Sequence, residues 1–268
     1  MKFKVGSDPE LFLVKDRELV SAIPLIPYSK DSPLRTKHGW IQQDNVLAEF
    51  NTLPANNLEE FVINHQLVIK DLEDYLADVG VVIDTLHSSR YCNEEVLSDL
   101  SALSSGCNPD YSAWTNRRNP YVSLANTNLR VAGGHLHISI EEDIDDKFRL
   151  DLVKALDLTI GIDSVIDDDG EDAALRRNLY GKAGSYRPKN TELGDSYNGV
   201  EYRTLSNYWV RDDRFIGKVY SGVEYTISNL PSLVRLTRKY AKDIVSIINT
   251  SDVSGAISFR QEIFNYAN

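Results

Sequence analysis

The sequence predicts an α+β fold built on a largely antiparallel sheet. Extended segments and helical spacings both recur along the chain. They do not alternate in the regular rhythm of a parallel βαβ protein. Several of the extended segments also carry charged side chains at every second position, so one face of the sheet is expected to be charged and the other covered by helices. The chain has 268 residues, 42% of them apolar, which is enough for one sizeable core.

The elements follow in order. Residues 2–14 (KFKVGSDPELFLV) alternate and then run apolar, as a strand does. Residues 19–27 form a second extended stretch, broken by Pro24 and Pro27. Residues 40–51 (WIQQDNVLAEFN) read as one strand with polar residues set into it. Residues 58–79 place Phe61, Leu67, Val68, Leu72, Leu76 and Val79 at helical spacing, and Gly80 ends the helix. A short strand is expected at 81–86. Residues 87–128 are rich in Ser, Asn and Pro and read as an excursion with one helix near 94–103. A strand at 129–141 carries GGHLHIS, and 146–166 is a helix with few breaks. Residues 167–198 read as a basic loop and 200–206 as a strand. Helices are expected at 212–230 and 232–249, punctuated by Pro231, before a weakly helical tail. A boundary near residue 130 would put candidate site residues on both sides of it, so residues 1–268 are read as a single domain.

Composition narrows the function classes. The net charge is 29 − 40 = −11 and the pI is near 5.0, which argues against a nucleic-acid partner. No apolar run approaches the roughly 18 residues of a membrane span. The start, MKFKVGSDPE, has no apolar signal core. Cys92 and Cys107 are too few for a disulfide framework. The expectation is a cytoplasmic protein.

Five segments carry chemistry. In Gly6-Ser7-Asp8-Pro9-Glu10, Asp8 and Glu10 share a strand face, where two carboxylates stay ionised together only beside a cation or arginines. Pro9 cannot donate to a ladder and implies an edge or a bulge; the plainer reading is an acidic turn. In 44–51, strict alternation puts Asn45, Leu47, Glu49 and Asn51 on one face, or else marks a half-exposed edge strand. In 133–139, His135 and His137 project together, fitting a metal, a phosphate or a hydrogen-bonded core pair, and the adjacent glycines imply close approach by another group. Arg176, Arg177, Lys182, Arg187 and Lys189 put five cations within fourteen residues of an acidic chain, or balance the run 167–169. Glu201 and Arg203 share a face, as an ion pair or as site residues. Together these clusters line a sheet face with carboxylates, imidazoles and guanidiniums. Hard oxygen donors in that number suit Mg²⁺ or Mn²⁺, and acidic groups beside a basic loop are what phosphoryl transfer needs. Neither GxxxxGK[ST] nor a spaced GxGxxG is present.

The order and wording of these motifs resemble the glutamine synthetase fold, most closely the phage-type carboxylate–amine ligases (amidoligases). Asp8-Pro9-Glu10-Leu11-Phe12, Glu49-Phe50-Asn51, Gly134-His135-Leu136-His137-Ile138-Ser139, residues 182–188 and Val200-Glu201-Tyr202-Arg203 carry the resemblance. It implies ATP and Mg²⁺ or Mn²⁺ as cofactors, with Asp8, Glu10, Glu49, His135 and Glu201 as metal ligands. His137 would approach the nucleotide phosphates, with Lys182, Arg187 and Arg203 on the phosphoryl group. Arg176 or Arg177 would hold the substrate carboxylate. The implied reaction joins a small-molecule or peptide carboxylate to an amine or ammonia through an acyl phosphate. A guanidino-kinase-like phosphotransferase and a zinc hydrolase on His135 and His137 are the alternatives, with a non-catalytic binding protein as a further one. Asp8 departs from the family's glutamate, Lys182 from its arginine. A monomer or small oligomer in the host cytoplasm is the accompanying expectation.

Overall fold

A computed structural model of the chain describes residues 1–103, 110–120, 123–124 and 126–265. Cys107 lies outside these residues, and Cys92 is a buried free thiol. The strands are β1 (Phe3–Lys15), β2 (Glu18–Val20), β3 (Leu34–Arg35), β4 (Gly39–Asp44), β5 (Leu47–Thr52), β6 (Val82–Asp84), β7 (Ser89–Tyr91), β8 (Tyr111–Ser112), β9 (Arg117–Arg118), β10 (Leu129–Val131), β11 (Gly134–Ile140), β12 (Ser185–Lys189) and β13 (Gly199–Tyr202). The helices are α1 (Leu58–Ala77), α2 (Asp146–Leu156), α3 (Ile162–Asp167), α4 (Glu171–Leu179), α5 (Asp213–Ser228), α6 (Leu230–Lys239), α7 (Ala241–Thr250) and α8 (Val253–Asn265).

Among the described residues, an 11-stranded sheet runs β3-β4-β5-β1-β11-β13-β12-β8-β9, with β2 and β6 paired to β1. Every pairing around β1 is antiparallel, as the α+β expectation required. β1 is the spine. Its odd positions Val5, Leu11 and Leu13 are fully buried, as are Leu136 and Ile138 of β11 and Val200 and Tyr202 of β13. This apolar face packs against Phe61, Val68 and Leu72 of α1, Leu152 of α2 and Val219 and Val223 of α5, in one core that runs from Val5 to Ile263. Burial of each large side chain there contributes roughly 1.5–3 kcal/mol. α1 forms where the spacing said it would. Asn57 caps it by accepting from Glu60 N, and Gly80 (φ 67°) follows its end. His65 is a core histidine, paired with Ser7 Oγ (2.7 Å) and Phe61 O (2.6 Å).

Several local readings are corrected. Residues 40–51 are a hairpin, not one strand. Asn45 (φ 57°) turns the chain between β4 and β5 and does not share the face of Glu49. Pro9 lies in a central strand. The N–H of Ser7 points away from β11 and is met by Thr52 Oγ1 (3.0 Å), and the β1–β5 ladder begins only at Glu10 and Leu11. The missing Pro9 N–H falls into that gap, so neither a sheet edge nor a bulge is needed. The strand at 129–141 breaks at Ala132–Gly133 into β10 and β11. The basic segment 167–198 is not a loop throughout but holds α4 and β12. The expected helix at 94–103 reduces to a single 3₁₀ turn, Leu100–Leu103. The stretch 232–249 divides between α6 and α7, with Pro231 in the first turn of α6. Between α2 and α3 the helix widens into a π turn at Asp157–Gly161. Among the described residues no helix is long and apolar enough to cross a membrane.

Candidate active site

The even positions of β1 point away from the helices, which puts Asp8 and Glu10 on the charged face. The register then assembles the rest. Asp8 lies opposite His135 and Gly6 opposite His137. Glu10 lies opposite Glu49, Gln42 opposite Glu49, and Glu201 opposite both His137 and Arg187.

Five of the residues read from the sequence as one ligand set therefore divide into two groups. Asp8, His135 and Glu201 form the first; Glu10 and Glu49, joined by Asp44, form the second. In each group one ligand atom per residue lies within 4.8 Å of the others. In the first, Asp8 Oδ1 is 3.3 Å from His135 Nδ1 and Asp8 Oδ2 is 3.1 Å from His137 Nε2. Asp8 Oδ1, His135 Nε2 and His137 Nε2 are nonetheless buried without a hydrogen-bond partner. Burial alone would raise Asp8, but the imidazoles of His137 and His135 hold it well below the usual carboxylate range. Burial and the Arg203 guanidinium push His135 down to about 4, so its ring is neutral at pH 7. Tyr197 OH meets His137 Nδ1 at 2.8 Å and fixes that ring.

The second group is electrostatically opposite. Burial, reinforced by Asp44, pushes Glu10 up to about 8. Burial, with Asp8, Asp44 and Glu10 adding to it, holds Glu49 well above its ordinary value. Gly133 N donates to Glu10 Oε2 (2.7 Å) and Gln42 Nε2 to Glu49 Oε1 (2.8 Å), which aims both carboxyls. A divalent cation among these oxygens would relieve the crowding.

Cations flank the first group. Glu201 Oε1 accepts from Arg187 Nη1 (2.9 Å) and from Arg203, and Lys189 Nζ lies 3.1 Å from Glu201 Oε2. Despite its burial, Arg203, His137 and Arg187 hold Glu201 far below the ordinary glutamate value. Arg203 also donates to Tyr180 OH. Beside His137 an open cleft of about 710 Å³ is lined by Gly6, Ser139, Tyr197, Asn198, Glu141 and Asp143.

Three sequence-derived residues are not part of this arrangement. Arg176 is fully buried behind the sheet, with Nε donating to Ala132 O (2.8 Å), Nη1 to Thr204 O (3.1 Å) and Nη2 to Leu205 O (2.7 Å). Arg177 is buried against Ser164 and Ser251. Neither is free to hold a substrate carboxylate, because helix α4 turns both inward. Lys182 is exposed, and its carbonyl accepts from Ser185 N (3.1 Å) and Thr204 Oγ1 (3.3 Å). The close approach at Gly134 comes from the chain itself, since a Cβ there would lie 2.2 Å from Ser206 O.

Sequence reading counts Lys189 among the basic residues without giving it a role, and misses Gln42, Tyr180 and Tyr197 as neighbours of the site. Strand alternation from Ser185 through Arg187 would have found Lys189, had the segment been read as β12. Gln42 needs the hairpin register, and the two tyrosines come from connecting segments that carry no periodic signal.

A charged sheet face with two acidic clusters and a basic flank defines the class of site. Residues 126–236 match the family described as "Phage phiEco32-like COOH.NH2 ligase-type 2", which bears out the resemblance read from the motifs. Of the site residues, His135, Glu201 and Arg203 lie inside the matched stretch, whereas Asp8, Glu10 and Glu49 lie outside it. Distant likenesses to solved structures accompany this. One is described as "Crystal structure of novel glutamine synthase homolog" (10% identity, 99% of this chain, 68% of that chain, TM-score 0.44). Another is "GmaS/ADP complex-Conformation 1" (12% identity, 99% and 70%, TM-score 0.39). A third is a bifunctional glutathione synthetase from Pasteurella multocida (12% identity, 100% and 50%, TM-score 0.39). No curated protein matches the sequence.

Proposed function

We propose that this protein is an ATP-dependent carboxylate–amine ligase. The observation that carries the reading is the pair of acidic groups, Asp8–His135–Glu201 and Glu10–Asp44–Glu49, set side by side along β1 with Arg187 and Arg203 flanking the first. Five carboxylates and one imidazole suit Mg²⁺ or Mn²⁺, and the unpartnered Asp8 Oδ1 is a buried oxygen in need of a cation. A single histidine in the first group, with carboxylates for the rest, fits zinc less well.

When bound, the metal would neutralise phosphate oxygens. The chain's own residues do the remaining work. Arg187 and Arg203, now held by Glu201, are positioned to turn their donors toward phosphate oxygens. His137, fixed by Tyr197, presents Nε2 to the same space. The cleft beside it offers Glu141 and Asp143 as acceptors for ribose hydroxyls. In the reaction, a substrate carboxylate oxygen forms a bond to the terminal phosphorus and ADP leaves. The amine nitrogen then adds to the acyl carbon, phosphate leaves and the nitrogen gives up a proton. Carboxylates are poor electrophiles, and this activation is why ATP is required. Two steps in one charge-compensated site need no movement of the intermediate.

A thermal melt tests the reading, with Mg²⁺ alone, a non-hydrolysable ATP analogue alone, and both. Ligand at about 100 times its dissociation constant stabilises by about 2.7 kcal/mol, a shift of roughly 5–10 °C for a chain of this size. A shift that needs both components is expected. The absence of any shift overturns the ligase reading.

A further inference from the structure

Arg203, Arg187 and Lys189 point from one face of the sheet, and the strand register sets them at three levels. Arg203 is at the level of His135, with Nη1 3.3 Å from His135 Nδ1. Arg187 is paired through Glu201 with His137, and Lys189 is paired through Gly199 with Ser139. Each level is two residues on from the last, about 7 Å along a strand. Asp8 lies at the first level, opposite His135. The cleft begins at Gly6 and His137 and runs past Ser139 to Glu141 and Asp143. Lys189 is therefore the cation at the cleft end of the row, and Arg203 the one at the metal-ligand end.

Distances fix where the ammonium sits. Lys189 Nζ is 3.1 Å from Glu201 Oε2 and 3.9 Å from Asp195 Oδ1. Arg187 and Arg203 reach the other oxygen, Glu201 Oε1. The guanidiniums and the ammonium thus hold opposite oxygens of one carboxylate. Gly199, between Lys189 and Ser139 in the register, has no side chain, so β13 leaves the face open from the ammonium towards the cleft. Asp195 belongs to the connector 190–198, which supplies Thr191, Ser196, Tyr197 and Asn198 to the cleft wall. The Lys189 side chain is 21% exposed, so a ligand oxygen can reach it.

We infer that Lys189 binds the phosphate groups that stay with the nucleoside after transfer, leaving the terminal group to Arg187 and Arg203. A nucleotide whose ribose lies against Glu141 and Asp143 enters along β11 at the Ser139 level. Its first phosphates pass Lys189 before the terminal one reaches the His137 and His135 levels. Binding exchanges a carboxylate oxygen for a phosphate oxygen at the ammonium, so one charge-assisted contact replaces another. Lys189 then grips substrate and product nucleotide alike. The inference rests on the ligase reading.

The test compares equilibrium binding of ADP with Mg²⁺, of AMP-PNP with Mg²⁺, and of Mn²⁺ alone, to the wild-type chain, Lys189→Gln and Lys189→Arg. Arg187 and Arg203 keep Glu201 paired in both variants, so ligand-free melting temperatures close to wild type are expected. Lys189→Gln should loosen ADP and AMP-PNP by the same factor, about tenfold or more, and Lys189→Arg should recover most of the loss. Mn²⁺ alone should bind Lys189→Gln as tightly as wild type or more tightly, because removing the ammonium leaves Glu201 more attractive to a cation. That opposite sign separates a phosphate contact from a merely structural role. Weaker Mn²⁺ binding in Lys189→Gln shows that the residue acts through Glu201 and overturns the contact. A loss confined to AMP-PNP, or no loss for either nucleotide, overturns it too and leaves the ligase reading intact. Wild-type protein that binds neither nucleotide overturns the ligase reading itself, and the Lys189 contact with it.

Discussion

Replacing Arg176 with methionine is expected to destabilise the wall behind the site without acting on substrate binding directly. The guanidinium is fully buried and donates to three carbonyls, Ala132, Thr204 and Leu205, at 2.7–3.1 Å. Those carbonyls belong to the β10–β11 break and to the segment after β13, so Arg176 ties together the two segments that present His135 and Arg203. Burial pushes its pKa down to about 10, and it remains charged at neutral pH. Methionine fills the aliphatic volume but leaves the carbonyls of Ala132 and Thr204 without donors, each costing about 1–3 kcal/mol, while Leu205 O keeps the N–H of Gly134 (3.1 Å). Entry of water into the space offsets part of this, so the loss should be about 2–5 kcal/mol. Against a total of roughly 5–15 kcal/mol that is a large fraction, worth roughly 4–20 °C in melting temperature. Urea unfolding followed by tryptophan fluorescence reads it as a lower midpoint at unchanged slope. Lysine is expected to recover little, since a point-charge ammonium cannot span three carbonyls in a fork. A variant with the wild-type midpoint and a raised KM for the carboxylate substrate alone would refute this account and restore Arg176 as a substrate ligand.

Two further outcomes follow from the same geometry. Glu49→Gln removes one of the crowded carboxyls of the second group, so the ligand-free protein should melt at the same or a higher temperature, while Mg²⁺-dependent stabilisation and turnover are lost; full ATP-dependent activity in this variant would remove Glu49 from the metal site. Asp157, fully buried, accepts from Trp114 Nε1 (2.6 Å), Tyr202 OH (2.8 Å) and Thr204 Oγ1 (3.1 Å). Burial nonetheless raises its pKa from 3.8 to about 6. A raised carboxyl pKa favours the protonated form in the fold, so its stabilisation is complete below about pH 3.8 and is lost as pH rises to about 6, by up to about 3 kcal/mol. The difference in stability between wild type and Asp157→Asn should therefore change across pH 4–6 and stay flat above it; a constant difference throughout would show that Asp157 does not titrate there.

What was legible in the sequence was local. The i, i+2 spacing of Asp8 and Glu10, and of His135 and His137, put each pair on one face, and the apolar spacing of α1 fixed its extent to within two residues. These signals survive because strand and helix periods act over a few residues. What was not legible was pairing. Asn45 at a positive φ turns 40–51 into a hairpin, and only that register sets Gln42 beside Glu49. Arg176 and Arg177 share the composition of site arginines, and nothing in their spacing shows that α4 turns them into the core. Residues 167–198 read as a basic loop. Yet β12 within them pairs with β13, and that pairing brings Arg187 and Lys189 to Glu201.

The division of the ligands into two groups is the clearest case, because it follows from β1 alone once its partners are known. Asp8 meets β11 and Glu10 meets β5, on opposite sides of the same strand. Side chains two residues apart on a strand are separated by about 7 Å. β1 therefore holds the two acidic groups at a spacing that a chain of two phosphate groups could bridge, one flanked by paired cations and the other holding Glu10 and Glu49, whose pKa values burial raises. Pro9 stands between them. It opens the β5 ladder on the flank where Ser7 turns to Thr52, so the strand changes partners there and each carboxylate faces a different neighbour.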